Sequence, residues 1–164
     1  MSNQPRITIT KLKIAKFASE ETLCFQATVL FDGIVFAEAS NDGHGGSTFV
    51  RALPGKSQRM ADAEAFAASI ATEETFDGHL TDIVDDLVCA EEERKTIERA
   101  FKRDMKSKVL FLFEGKIREV RVRDASSEQI RDYIRRKYDR AQILNEMTPD
   151  AAFQVYAQVL GGAA

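Results

Sequence analysis

From Ile7 to Phe17 apolar and polar residues alternate closely enough to predict a strand. The alternation resumes from Thr22 to Phe31, where Leu23, Phe25, Ala27, Val29 and Phe31 share one face and Thr22, Gln26 and Thr28 the other. Asp32-Gly33 predicts a two-residue hairpin turn that accepts positive φ, with Ile34 to Ser40 as the returning strand. Ser47 to Leu53 adds a fourth strand that ends at Pro54-Gly55, and together these segments predict an antiparallel meander with one face in a core.

From Ala61 the period changes: Ala63, Phe66, Ala67 and Ile70 recur at helical spacing, and Asp77-Gly78 breaks the helix. A longer helix is predicted from Leu80 to Met105, with a stripe through Ile83, Leu87, Ile97 and Phe101. The stripe thins at Glu91-Glu92-Glu93-Arg94-Lys95, where i,i+4 pairs such as Glu98 with Lys102 support a solvated stretch. Val109 to Phe113, the turn Glu114-Gly115 and Ile117 to Arg123 predict a second hairpin whose first strand is apolar on both faces and therefore central. Ser126 with Gln129 forms a capping box for a helix through Tyr138, with Ile130, Tyr133, Ile134 and Lys137 inward. Ala141 to Leu144 reads as a short strand, and Thr148-Pro149-Asp150 opens a terminal helix that Gly161-Gly162 stops.

The fold class is thus α+β: an N-terminal meander, a helical middle, a second hairpin and C-terminal helices. At 164 residues the default is one domain, 1–164, within which 1–58 with 59–105, and 106–164, would be compact subdomains. Phe25, Val29, Ile70, Leu87, Phe101, Leu110, Leu112 and Ile134 are the expected core.

Composition adds constraints on partners. With 44% hydrophobic and 30% charged residues, the chain buries enough apolar surface to fold unaided. The run Lys108 to Phe113 falls far short of the roughly 20 apolar residues of a membrane helix, and Met1 to Pro5 carries no signal core, so a cytoplasmic protein without membrane contact is expected. Cys24 and Cys89 lie among apolar neighbours and read as two reduced, packed thiols rather than a disulfide. Residues 59–105 hold 6 basic and 13 acidic side chains, whereas 106–148 hold 11 and 7. The net charge of −3 therefore conceals opposite-sign regions able to form separate surfaces for different partners, or to face each other.

The most unusual stretch is Ser40-Asn41-Asp42-Gly43-His44-Gly45-Gly46-Ser47. Its glycines allow backbone N–H groups to converge on an anion, so Asn41, Asp42, Gly43, His44, Gly45 and Gly46 form a candidate ligand loop; a wide, wet connection is the alternative. The stretch lacks the lysine of a P-loop and the spacing and βαβ context of a dinucleotide fingerprint. Taken with Phe17-Ala18-Ser19-Glu20-Glu21-Thr22 and Cys24-Phe25, it resembles uncharacterised proteins encoded in phage and bacterial genomes. That resemblance covers chiefly the first fifty residues; it implies a phage or bacterial accessory protein and brings no activity to these positions.

Two further constellations carry chemistry. A helix would place Asp82 and Asp86 at i+3 and i+7 from His79, and with His44 they offer an imidazole and carboxylate shell for a divalent metal whose bound water could be a nucleophile. Acidic residues in a first helical turn are also favoured by the helix dipole alone. Lys116, Arg118, Arg121 and Arg123 on one strand, followed by Arg131 and Arg135 on the next helix, form a basic patch for nucleic acid, a nucleotide or an acidic protein. No serine or cysteine has the context of an activated nucleophile, and two histidines leave little for acid–base work. The sequence thus reads as a non-enzymatic binding protein for a macromolecule or a phosphorylated small ligand, with no cofactor implied. Its alternatives are a metal-dependent hydrolase or nuclease using His44 and His79, and a structural, oligomerising protein.

Overall fold

In the computed structural model, which describes residues 6–70, 80–123 and 125–161, the alternating segments form two separate sheets. The α+β class and its order of elements are as the patterning predicts. The chain divides into two compact units, Met1–Glu91 and Glu92–Ala164.

The N-terminal unit is built on an antiparallel meander of β1 (Ile7–Ile14), β2 (Phe25–Phe31), β3 (Ile34–Asn41) and β4 (Phe49–Ala52). Asp32 and Gly33 both take positive φ, as the two-residue turn requires. One sheet face buries Phe25, Ala27, Val29 and Phe31 of β2 with Ala37 and Ala39 of β3. They pack with Ala63 and Ala67 of α1 (Ser57–Ser69) and with Leu80, Val84 and Val88 at the start of α2 (Leu80–Ser107). A register shift between β2 and β3 leaves Phe36 as the extra residue opposite Val29 and Leu30, so the consecutive Phe36 and Ala37 are both buried. A second shift in β1, between Thr10 and Lys13, keeps those two residues on the same outward side although they are three apart.

In the C-terminal unit β5 (Lys108–Phe113) is central, flanked by β6 (Lys116–Arg121) and the two-residue β7 (Gln142–Ile143). Val109 and Phe111 face Ile130 and Ile134 of α3 (Ser127–Lys137), whereas Leu110 and Leu112 face Phe101 of α2 and Tyr156 of α4 (Pro149–Gly161). Both hydrogen bonds of the Ser126–Gln129 capping box are present.

Five of the eight expected core residues, Phe25, Val29, Phe101, Leu110 and Ile134, are buried. Leu87 and Leu112 are only partly so, and Ile70 is 50% exposed because α1 stops at Ser69 and leaves it as the cap. Tyr133 is also outward, 48% exposed, since Ile130 and Ile134 alone fill the narrow inner stripe of α3. The first strand ends at Ile14, and Lys16–Ala18 forms a short 3-10 turn with Phe17 94% exposed. The break expected at Asp77-Gly78 lies outside the described residues.

Candidate functional site

The glycine-rich loop is held from within. Asn41 is buried; its Oδ1 accepts hydrogen bonds from Thr22 Oγ1 and the Gly43 N–H, both at 2.9 Å. Its Nδ2 donates to the Gly46 carbonyl and to Thr48 Oγ1. The Gly43 carbonyl, at φ +88°, accepts the N–H groups of Glu20, Glu21 and Thr22, which draws the Lys16–Cys24 segment over the loop. A methyl group on Gly43 would collide with the Ala18 carbonyl oxygen, so close backbone approach accounts for this glycine. The next two N–H groups are also engaged, His44 with Asp42 Oδ1 and Gly45 with Thr22 Oγ1. Three N–H groups of the candidate nest therefore already serve acceptors inside the protein.

Thr48 Oγ1 donates onward to Asp85 Oδ1 of α2 at 2.6 Å. Burial pushes the Asp85 carboxyl above the ordinary carboxylate range; the Thr48 hydrogen bond opposes this, and Asp82 and Asp86 reinforce it. His44 stands on the loop surface with Nδ1 3.5 Å from a Glu20 carboxylate oxygen, both side chains largely exposed. His79 lies outside the described residues, and among the described residues no group of three or more His, Cys, Asp or Glu side chains is placed to hold a metal ion. Cys24 and Cys89 are free thiols; Cys24 is half-buried, and Cys89 is exposed rather than packed because Val88 alone turns into the core there.

The basic patch of the C-terminal unit is divided between the two faces of its sheet. Cross-strand pairing puts Arg118 beside Phe111 on the α3 side and Arg121 beside Lys108 on the other. Arg118 is paired with Glu114 and lies over the rings of Phe113 and Tyr138. Arg131 and Arg135 both turn to Glu146, and Arg135 also to Asp132. Lys116, Arg121 and Arg123 are exposed without a counter-ion among the described residues.

A further concavity lies on the outer face of the N-terminal sheet. Register aligns Lys13, Gln26, Ser40 and Phe49 in one cross-strand row and Thr10, Thr28, Glu38 and Arg51 in the next. Apart from Thr10, the residues of these rows line an open groove of about 730 Å³ together with Lys11, which takes φ +53° at the β1 irregularity. An adjoining hollow of about 410 Å³ shares Lys13, Gln26, Ser40 and Phe49 and reaches Cys24, Asn41 and Asp42. Phe49 is 71% exposed at the meeting of the two, while its neighbour Val50 packs on the core. Charge density along the sequence does not reveal this face, because its three cations are spread over two strands, Lys11 and Lys13 on β1 and Arg51 on β4. A signal was present: in a strand, Phe49 has the parity of Arg51 and opposes that of Val50.

The groove thus combines one open aromatic ring, three cations, a single carboxylate and several neutral hydrogen-bonding side chains. That set can stack a flat ring and neutralise phosphates; it includes no activated nucleophile. Comparison of the chain with protein-family models, with curated proteins and with solved structures gives no match.

Proposed function

We propose that the protein is a non-enzymatic binding protein and that it holds single-stranded nucleic acid across the outer face of its N-terminal sheet. The observation that carries this reading is Phe49, an exposed ring on a concave sheet face with Lys13 in its own cross-strand row and Arg51 two residues along the same strand. A base stacked on the ring removes apolar surface of both from water, and every base has a face to offer. Lys11, Lys13 and Arg51 supply cations at the groove for the phosphates, and Gln26, Thr28 and Ser40 offer neutral donors and acceptors for base edges. Four strands at about 4.8 Å spacing span about two to three unstacked nucleotides. A duplex, whose bases are already stacked on one another, has less to gain from an exposed ring.

Fluorescence anisotropy with labelled oligothymidine, an oligoribonucleotide and a duplex tests this in low salt. Both single strands should bind more tightly than the duplex, and Phe49→Ala, checked for folding by circular dichroism, should weaken single-strand binding roughly 5- to 100-fold. Absence of single-strand binding, or equal affinity in Phe49→Ala and wild type, would overturn the assignment.

A further inference from the structure

A second site lies wholly within the C-terminal unit. Arg103, Ser107 and Lys108, at the end of α2 and the start of β5, face Arg121, Val122 and Arg123 across an open cleft of about 440 Å³. We propose that this cleft binds the phosphoryl group of a small phosphorylated ligand.

Its construction supports that assignment. Lys108 and Arg121 are directly opposed in the β5–β6 ladder and so project to the same side of the sheet. The Val122 N–H donates to the Ser107 carbonyl at 3.0 Å, which ties the strand end to the helix end and fixes the width of the cleft. Asp104 is buried beneath and receives hydrogen bonds or ion pairs from Arg103 and Lys108, each at 3.2 Å, and from Tyr156 at 3.4 Å. Lys108 is held on its other side by Glu119. Two of the four cations are thus positioned by fixed carboxylates before any ligand arrives. Arg121 and Arg123 are exposed, with no counter-ion among the described residues.

Four cations served by two carboxylates leave a local surplus of positive charge. A dianion entering the cleft relieves their mutual repulsion, and the planar forks of two arginines match phosphoryl oxygens better than a single carboxylate does. The volume lies within the range of small-ligand sites, and the exposed Val122 gives an apolar edge for the rest of the molecule.

Isothermal titration of the full chain with inorganic pyrophosphate, and separately with oligothymidine, distinguishes a small phosphorylated ligand from a nucleic-acid backbone. Expected is saturable one-to-one pyrophosphate binding that Arg121→Gln/Arg123→Gln weakens at least about tenfold, while Arg136→Gln, an exposed cation outside the cleft, leaves it unchanged. The single variants Arg121→Gln and Arg123→Gln keep the test decisive if the double variant fails to fold. Absence of saturable pyrophosphate binding, or equal affinity in the folded arginine variants, overturns the proposal. So does oligothymidine binding that the arginine variants weaken without any pyrophosphate binding.

Discussion

Gly43 sits at the convergence of three backbone N–H groups, in a conformation that a side chain could share only by colliding with backbone. Gly33 has a similar positive φ but open space around it. Alanine at Gly33 should therefore cost only the left-handed strain of about 1 kcal/mol. Alanine at Gly43 adds a collision with backbone and should cost more than about 2 kcal/mol, so urea midpoints of the two variants should separate clearly. Two buried or half-buried aspartates supply the opposite-signed pH effects. Asp85 has a folded pKa raised first by burial, so its ionisation opposes folding at neutral pH, and that cost disappears as pH falls below the carboxylate range. At Asp104 burial works hardest against ionisation, but the hydrogen bonds and charges of Arg103 and Lys108 together outweigh it and hold the pKa below the ordinary range. Its stabilisation is full above the unfolded value and is lost as pH falls through the folded one. Asp85→Asn should raise stability near neutrality and Asp104→Asn should lower it, with both differences narrowing in acid-dependent urea titrations.

Among the elements, β5 shows how a side chain completes a strand. Its partner β7 reaches only Phe111 and Leu112, and Asn145 takes over beyond that point, accepting from the Leu110 N–H at 2.7 Å and donating to the Lys108 carbonyl at 3.0 Å. Asn145→Ala leaves both backbone groups without those partners and should cost about 2–4 kcal/mol by chemical denaturation, whereas Asn145→Asp keeps the acceptor and should cost less. Nothing in the sequence distinguished Asn145, because the bond joins residues 35 apart in a segment without periodicity. The elements themselves were readable where period and punctuation agreed: Asp32-Gly33 and Glu114-Gly115 each turn a hairpin with positive φ at both positions, and β5, apolar on both faces, is central. Elsewhere packing overrides pattern. Phe36 and Ala37 are buried side by side because of a register shift, and Tyr133 has a helical phase that suits the core but no room in it. The glycine loop is recognisable as unusual, but the close approach of the Lys16–Cys24 segment at Gly43 and Gly45 is a contact that no local pattern encodes.

For the molecule as a whole, a net charge of −3 gives no long-range attraction for a polyanion. Much of the basic excess in the C-terminal unit is also spent locally, with Arg131 and Arg135 on Glu146 and Arg118 on Glu114. Single-strand binding must then draw its electrostatic part from the few cations at the groove, and salt dependence counts them. Three phosphate contacts from Lys11, Lys13 and Arg51 correspond to a slope of log K against log salt of about −2, since each contact on a single strand contributes about −0.7. Lys13→Ala should make that slope shallower by about 0.7. Phe49 acts by stacking, which releases no counterions, so Phe49→Ala should lower the affinity at every salt concentration and leave the slope as it was. Anisotropy titrations of wild type and both variants over a range of sodium chloride concentrations separate the two roles. A slope unchanged in Lys13→Ala would remove that lysine from the phosphate path, and a slope flattened in Phe49→Ala would mean that the ring positions the cations instead of holding a base.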